Sequence, residues 1–504
     1  MNVGTIFSRH GVYRPEQLAV VFKEKRLTYS RFNYRINQLA NALINLGLEK
    51  GDRIATLLPN CLELLEVYWA CAKTGGVAVP LSTMLRPAAI ESLLRDADVS
   101  FVFTGSGHVE SVNEIRSRLE CVKSRGYIQV GGEKQDGFGQ YNDITAHSSG
   151  AEPDVPDIIG SDLFNIMYSS GTTGMPKGIM LTHNIRIMYG ACFASSFRIK
   201  PESVIMHAGA IIFNGAFVDL MSTVYTGAAY ILLESFDPES FIETIEKEKV
   251  THVIMVPAQV IAVLNSPSFS PEKFATLEMI LVLGAPLLME QKKRLNDLLP
   301  GIFYELYGLT EGFVTILDKY DYKRKPQSVG TPPPLFEMKI MDEKAEESKV
   351  GEVGEICGRA PILMTGYLNR PDLTKKVVKD GWLHSGDMGY MDEDGFLFLV
   401  DRKKDMILSG GINVYPRDIE EVAAKHPAVN EVAVYGMQDE KWGETPYAAV
   451  TLVEGSQIEA DEIKLWVNSR VDAAFQRLAK VIILEEFPRN VAGKVLKREL
   501  RKIQ

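Results

Sequence analysis

Strand-like and helix-like patterns alternate along most of this chain, and this alternation limits its fold more than any other feature. The stretch DRIATLLP (52–59) is apolar like a buried strand, and CLELLEVYWACAKTG (61–75) follows it with helical periodicity and ends at a glycine. The same order returns in AAYILLE (228–234), PESFIETIEKEK (238–249) and VTHVIMVP (250–257). Such alternation favours parallel sheets flanked by helices, so we predict two α/β units of similar build.

The sequence pattern changes at about residue 325. Short strand-like stretches separated by Gly, Pro and Asp turns predict a smaller β-rich subdomain there. The charged stretch DRKKD (401–405) then precedes a final segment with strands and helices of its own. A chain of 504 residues exceeds what one core supports. We therefore predict an α/β protein with an N-terminal domain at 1–403, made of two α/β sheet subdomains and a β-rich subdomain, and a small α+β C-terminal domain at 404–504.

Composition excludes several classes of protein. The net charge of −10 argues against a nucleic-acid-binding surface, because such surfaces neutralise phosphates with clustered Lys and Arg. The N-terminus has no signal-peptide core, and no apolar run reaches the roughly 18 residues of a membrane span. We expect a cytoplasmic protein without a transmembrane segment. The five cysteines are scattered and mostly lie in apolar runs, which predicts neither a disulfide nor a zinc site.

The loop YSSGTTGMPKG (168–178) combines glycines, hydroxyl side chains and one lysine. This combination is typical of phosphate-binding loops, because backbone N–H groups can approach the phosphate oxygens and the lysine neutralises their charge. It is not a P-loop, because Pro176 stands at the second glycine position and the apolar flanks on both sides predict strand–loop–strand. ATP is the first ligand that this pattern indicates. On the loop alone, a plain hairpin connection remains the alternative.

Four further stretches extend the pattern: LGAPL (283–287), YELYGLTEG (304–312), the segment 381–421 that contains HSGD and LSGGINVYP, and PRNVAGKVLKREL (488–500). Together with the loop at 168–178, they resemble the adenylate-forming enzymes: acyl-CoA synthetases, aryl-CoA ligases, firefly luciferase and the adenylation domains of peptide synthetases. The resemblance covers essentially the whole chain, in family order and spacing. It implies an AMP-forming carboxylate–CoA ligase that uses ATP, Mg²⁺ and coenzyme A.

The resemblance also implies roles for individual residues. Glu311 would be the Mg²⁺-linked carboxylate, Thr310 would contact the α-phosphate, and Lys494 would reach the reacting groups during adenylation. Asp387 would bind the ribose with the help of Arg402. The adenine would lie against Tyr307 and the chain at Gly284, Ala285 and Pro286. The triphosphate would be held by the loop residues Ser169, Ser170, Gly171, Thr172, Thr173, Gly174 and Lys177.

On the acyl side, the resemblance implies a mobile C-terminal domain that swings about the hinge residue Lys404 and a channel for CoA along Gly410 and Gly411. The acyl pocket would be formed by Asn214, Gly215, Phe217, Val256 and Gly308. Asn214 stands where many relatives have an aromatic residue or histidine, and Gln476 and Leu478 replace the usual lysine and proline near the C-terminus. This pocket suggests an uncharged carboxylic acid, fatty or aromatic.

Three interpretations remain open at this stage. The first is a free-standing acyl- or aryl-CoA ligase whose partners are the acid, ATP and CoA. The second is an adenylating enzyme that loads a carrier protein, and the third is a nucleotide-binding homologue without activity. Retention of Lys177, Glu311, Asp387 and Lys494 together argues against the third. Whether the chain forms a homodimer is left open.

Overall fold

The structure is a computed structural model that describes residues 2–169, 176–402, 405–409, 412–439, 442–489 and 495–503. The side chains of Asp401, Arg402 and Asn413 also lie outside the description. Within the described ranges, the chain forms four sheets and the helices that cover them. No helix in this part of the chain has the length and apolar character needed to cross a membrane.

Strands and helices alternate through the first 196 residues, as predicted. The elements are, in chain order, α1 (Val3–Tyr13), β1 (Leu18–Phe22), β2 (Lys25–Thr28), α2 (Tyr29–Asn45), β3 (Arg53–Leu57), α3 (Leu62–Thr74), β4 (Val77–Pro80), α4 (Pro87–Asp96), β5 (Phe101–Gly105), α5 (Val109–Arg116), β6 (Tyr127–Val130), β7 (Gly139–Gln140), α6 (Tyr141–Ala146), β8 (Leu163–Ser169), β9 (Lys177–Thr182) and α7 (His183–Ser196). Their ends follow local chemistry: the Thr28 side chain caps α2, and Gly75 ends α3 with a φ of 76°.

The second α/β unit follows the same plan. It contains β10 (Val204–His207), α8 (Ala216–Thr226), β11 (Ala229–Leu232), α9 (Pro238–Glu248), β12 (His252–Met255), α10 (Pro257–Asn265), β13 (Met279–Leu283), α11 (Met289–Leu298), β14 (Phe303–Leu309) and β15 (Phe313–Leu317). Asp237 caps α9 by accepting from the Ser240 amide.

The remaining chain is richer in strands. It contains β16 (Glu337–Met341), β17 (Gly354–Arg359), β18 (Gly366–Tyr367), α12 (Pro371–Val377), β19 (Val378–Lys379), β20 (Trp382–Met391) and β21 (Leu397–Arg402), then β22 (Ile407–Ser409), β23 (Ile412–Val414), α13 (Pro416–Ala423), β24 (Val429–Asp439), β25 (Gly443–Leu452), α14 (Ala460–Asn468), β26 (Lys480–Ile483) and α15 (Lys497–Leu500).

Two eight-stranded sheets form the larger part of the molecule. Sheet I has the order β15-β14-β13-β12-β10-β11-β1-β2, and sheet II has the order β18-β9-β8-β4-β3-β5-β6-β7. Both are mainly parallel with antiparallel pairs at their edges. The largest buried apolar cluster joins them through α3, α7 and α8 and includes Trp69, Phe164 and Phe217. The predicted α/β class with two sheets is therefore confirmed.

The two sheets are not consecutive in sequence, which differs from the simplest interpretation of the alternation. The N-terminal hairpin β1–β2 completes sheet I, because β1 pairs in parallel with β11, with Val21 opposite Ile231. In the same way, β18 leaves the strand-rich region and pairs with β9 of sheet II. Buried backbone groups need ladder partners, and those partners need not be neighbours in the chain.

Two smaller sheets complete the fold. Sheet III, in the order β16-β17-β20-β19 with β21 paired to β20, is the predicted β-rich subdomain. Sheet IV, in the order β23-β22-β25-β24 with β26 paired to β25, carries the C-terminal helices and has its own apolar cluster, which includes Ile419, Val434 and Ile463. The segment after residue 405 thus has a separate core, while the domain boundary at 403/404 stays a prediction.

Candidate active site

A cavity of about 1150 Å³ opens where the carboxyl ends of sheet I face the β8–β9 hairpin and sheet III. Ligands of open α/β sheets bind at this edge, because the loops after parallel strands converge there. Ten residues that the sequence singled out line this one cavity: Ser169, Lys177, Asn214, Gly215, Val256, Gly284, Gly308, Thr310, Glu311 and Asp387. They come from segments more than two hundred residues apart, so their convergence is a property of the fold.

The β8–β9 hairpin has the predicted strand–loop–strand form. Ser169 lies opposite Lys177 in the antiparallel register, so the two ends of the loop meet at the cavity. Residues 170–175, with the predicted Ser170, Gly171, Thr172, Thr173 and Gly174, lie outside the described residues. The same holds for Lys404, Gly410, Gly411 and Lys494.

Lys177 and Glu311 meet at a residue that the sequence did not reveal, Tyr367. The Tyr367 hydroxyl donates to Glu311 Oε1 at 2.7 Å, and the Lys177 ammonium lies 5.0 Å from the centre of the tyrosine ring. Burial, together with the charge of Glu311, raises the pKa of Tyr367 well above its usual value, so its hydroxyl remains a donor. No sequence signal marked Tyr367, because only the pairing of β18 with β9 brings it here.

The residues around Glu311 suit a magnesium ion held mainly by phosphate. Glu311 supplies one carboxylate at the cavity wall, and the described residues contain no group of three or more metal-binding side chains. Mg²⁺ commonly uses one or two protein carboxylates and completes its coordination with phosphate oxygens and water. The donor set therefore fits an ion that arrives with a nucleotide.

The predicted adenine and ribose residues are also adjacent. The Tyr307 hydroxyl donates to Asp387 Oδ2 at 2.8 Å, joining β14 of sheet I to β20 of sheet III. Arg402 lies opposite Asp387 in the β20–β21 register. Gly284 follows β13 with a φ of 89°, a conformation that favours glycine over other residues.

A second cavity of about 320 Å³ lies between this region and the C-terminal segment. On one side it is lined by Gly284, Ala285, Pro286, Tyr307 and Asp387, and on the other by Arg417, Glu420, Arg489, Val495 and Lys497. Arg489 and Val495 flank the part of PRNVAGK that lies outside the description. The residues on either side of this motif therefore share a cavity with the residues predicted to bind the nucleotide.

Of the residues predicted for the acyl pocket, Asn214, Gly215, Val256 and Gly308 line the main cavity, and Phe217 does not. Phe217 is fully buried, and its ring packs 5.4 Å from Tyr68 and 4.1 Å from the Arg186 guanidinium. It does not line the cavity, because its position on α8 turns it into the core between the sheets, so its assignment as a pocket residue is corrected. Tyr189 and His207 do line the cavity, although the sequence did not single them out.

Comparison with known proteins places the chain in a family. Residues 7–368 match the family model of the AMP-binding enzymes, and residues 418–494 match that of the AMP-binding enzyme C-terminal domain. A feruloyl-CoA synthase of an Amycolatopsis species is 32% identical over 97% of this chain and 96% of its own length. A long-chain-fatty-acid–CoA ligase of Bacillus subtilis (strain 168) is 32% identical over 96% of this chain and 91% of its own.

A solved structure has the same architecture over the full length. ATP-bound MatB from Rhodopseudomonas palustris superposes with a TM-score of 0.91 at 29% identity, covering 100% of this chain and 99% of that protein. The cavity, its paired charged residues and these similarities lead to one conclusion: the chain belongs to the family of AMP-binding enzymes and is an AMP-forming acid–thiol ligase.

Proposed function

We propose that this ligase activates an uncharged carboxylic acid, fatty or aromatic, with ATP and transfers the acyl group to CoA. The observation that carries the proposal is the arrangement of the main cavity. Its lining combines charged and polar side chains, including Lys177, Thr310, Glu311 and Asp387, with apolar side chains, including Phe193, Val218, Val256, Leu283 and Val314. The polar groups suit a triphosphate, and the apolar groups suit an acyl chain or ring.

In the first half-reaction, a carboxylate oxygen of the acid attacks the α-phosphorus of ATP, and the bond to the bridging oxygen breaks as pyrophosphate leaves. Lys177 would neutralise the triphosphate, and Thr310 would donate to the α-phosphate. Tyr367 would hold Glu311 in place through its 2.7 Å hydrogen bond. Mg²⁺, when bound through Glu311 and phosphate oxygens, would offset the negative charge that builds up as two anions meet.

In the second half-reaction, the CoA sulfur attacks the acyl carbon, the acyl–oxygen bond breaks, and AMP leaves. We propose that the 404–504 domain swings about Lys404, so that Gly410 and Gly411 replace Lys494 at the site. Two hydrogen bonds between the C-terminal segment and the rest of the chain suit such a change. The Met289 amide donates to Glu421 Oε2 at 3.3 Å, and Arg417 donates to the Leu399 carbonyl at 3.3 Å. Contacts of this kind are polar and can exchange with water.

The lining of the cavity favours an acid with no second charge. Among the described residues that line it, Lys177 is the only lysine or arginine, and it belongs to the phosphate side. A dicarboxylic acid would therefore bring a buried charge without a cationic partner. Relatives with names such as feruloyl-CoA synthase, long-chain-fatty-acid–CoA ligase and indoleacetate–CoA ligase support an aromatic or aliphatic acid here.

The acceptor of the acyl group needs its own test, because a fatty acid–[acyl-carrier-protein] ligase of Streptomyces coeruleorubidus is also 30% identical over 98% of this chain. We would measure pyrophosphate release over a panel of fatty and aromatic acids, then AMP release with and without CoA. Acid-dependent pyrophosphate release together with CoA-dependent AMP release is the expected result. Acid-dependent pyrophosphate release with no effect of CoA on AMP release would indicate that a carrier protein is the acyl acceptor. Inactivity with every acid would refute the proposal.

A further inference from the structure

His207 lines the main cavity, is paired with the buried Asp219, and has no part in the two half-reactions. His207 is the last residue of β10, and its Nδ1 lies 2.8 Å from Asp219 Oδ2 in the first turn of α8. The His207 side chain is 6% exposed and that of Asp219 is 1% exposed. The His207 ring also stacks on Tyr230, with centroids 6.5 Å apart and planes 18° apart. The imidazole is therefore held firmly at one place in the cavity wall.

The order of strands in sheet I places this pair away from the reacting groups. Thr310 and Glu311 follow β14, Gly284 follows β13, Val256 follows β12, and His207 ends β10, the next strand. Neighbouring strands lie about 4.8 Å apart, so three steps separate β10 from β14 by about 14 Å. An acid whose carboxylate reacts near Thr310 and whose body passes Val256 would bring its other end towards His207.

The pair presents a hydrogen-bonding group to the cavity. The two carboxylate oxygens of Asp219 are taken by protein donors, since Oδ1 accepts from the Leu220 amide at 2.8 Å and Oδ2 faces His207 Nδ1. Asp219 therefore orients the imidazole ring through Nδ1, and the other ring nitrogen, Nε2, takes no part in this contact. A Cβ added at Gly209, which also lines the cavity, would lie 3.1 Å from Nε2. The absence of a side chain at Gly209 thus keeps this nitrogen accessible.

A second polar group in the same wall points to the same ligand chemistry. Asn214 donates through Nδ2 to the Tyr189 hydroxyl at 3.0 Å, and its Oδ1 is buried with no hydrogen-bond partner among the described residues. A buried polar atom without a partner is unfavourable, so a ligand that completes its bonding gains affinity. A hydroxyl group can both donate and accept, so it can satisfy a ring nitrogen or an amide in either orientation.

We propose that His207, oriented by Asp219, determines the acid that this enzyme selects, and that this acid carries a hydroxyl group at the end opposite its carboxylate. The inference rests on the proposed adenylation of an acid in this cavity. A purely apolar end would offer no hydrogen bond to His207 Nε2 or to Asn214 Oδ1. A second carboxylate would meet the charge of Asp219 with no lysine or arginine nearby among the described lining residues.

The test compares matched acids that differ at that end alone: para-hydroxycinnamic with cinnamic acid, and ω-hydroxydecanoic with decanoic and decanedioic acid. The measured quantity is kcat/KM for pyrophosphate release. A pocket built to hydrogen-bond a hydroxyl discriminates against an analogue that lacks it, so we expect a preference on the order of tenfold or more on at least one of the two scaffolds. Turnover of every acid with ratios near one, or a preference for the dicarboxylic acid, overturns this inference and leaves the proposed function standing. Inactivity with all acids overturns both.

Variants of His207 and Asp219 test whether this pair causes the preference for the hydroxylated acid. His207→Phe should bring the ratio of kcat/KM for the hydroxylated acid to that for the plain acid to about one, with an unchanged KM for ATP. His207→Gln should retain part of the wild-type preference. Asp219→Asn should lower the preference. Val218→Ala is the matched control, because Val218 lines the same cavity beside Asp219 without a polar group and should affect both acids alike. A preference that survives in folded His207→Phe removes His207 from the assignment. If that variant does not fold, the wild-type ratios still decide whether the cavity selects a hydroxyl group.

Discussion

The two ends of the cavity along sheet I are built in different ways. At the nucleotide end, charged residues come from short motifs and each has a close tyrosine partner: Glu311 with Tyr367, and Asp387 with Tyr307. At the acyl end, Tyr189 comes from α7, His207 from β10 and Val256 from the strand–helix junction after β12. The fold assembles both ends, but the charged groups of the first come from short motifs that the sequence shows, whereas the residues of the second carry no such motif.

This difference has a functional meaning. ATP is a fixed ligand whose phosphates and ribose demand charged groups at fixed spacing, so a few compact motifs can supply them. The acid is recognised by the shape and polarity of a wall, which many combinations of residues can form. Substitutions at the proposed nucleotide end should therefore change the constants measured for ATP, and substitutions at the proposed acyl end should change those measured for the acid. The following predictions test this separation, from the largest expected effect to the smallest.

Lys494→Ala should reduce acyl-adenylate formation by on the order of 10² to 10³, because in its proposed role Lys494 brings a positive charge to the transition state. Conversion of supplied acyl-adenylate to acyl-CoA should continue at close to the wild-type rate. Single-turnover measurements of each half-reaction provide the check. Equal losses in both steps would show that Lys494 does not act in adenylation alone.

Lys404→Pro should have the reverse effect, with adenylation retained and thioester formation reduced by on the order of 10² or more. A proline fixes φ near −65°, so it restricts the rotation that the proposed hinge requires. The same single-turnover assay applies, with Lys403→Pro as a neighbouring control. A Lys404→Pro enzyme that still forms acyl-CoA at the normal rate would exclude this residue as the pivot.

Glu311→Gln should lower kcat for pyrophosphate release by on the order of 10², since it keeps the volume and the acceptor for Tyr367 but removes the charge. The dependence on Mg²⁺ should shift to higher concentrations, and the melting temperature should change little. Titration of Mg²⁺ at saturating ATP measures this effect. Near-normal release with an unaltered Mg²⁺ dependence would contradict the metal assignment.

Asp387→Ala should raise the KM for ATP by roughly ten- to hundredfold, because a hydrogen bond to a charged group contributes about 1.5–3 kcal/mol. The KM for the acid should stay within a few-fold of wild type, since the proposed ribose site and the proposed acyl site are formed by different residues. Initial-rate kinetics with each substrate varied in turn give both constants. A parallel rise in the two constants would show that Asp387 mainly supports the fold.

Tyr367→Phe should have the smallest effect, a loss on the order of tenfold in pyrophosphate release. It removes one hydrogen bond to Glu311, while the phenylalanine ring still packs beside Lys177. Tyr189→Phe is the matched change at the acyl end and should alter the KM for the acid but not for ATP. If Tyr367→Phe instead altered only the acid constant, the separation of the two ends would be wrong.

The compact parts of the site could be predicted from the sequence. The strand–loop–strand at 163–182, the glycine that ends α3 and the α/β class follow from local patterns that residue types impose over a few positions. The motifs around Thr310, Glu311 and Asp387 indicated a nucleotide site through their resemblance to the adenylate-forming enzymes. These features depend on neighbours in the chain, so the sequence alone determined them.

Other features were decided only by the tertiary structure. Four features could not be predicted from local sequence patterns: the pairing of β1 with β11, the pairing of β18 with β9, the burial of Phe217, and the contact between His207 and Asp219. Each results from burying apolar faces and pairing backbone groups across the whole molecule, where many local arrangements satisfy the same pattern. The motifs in the sequence therefore indicated the chemistry of ATP use, while the three-dimensional packing decided which other groups line the cavity.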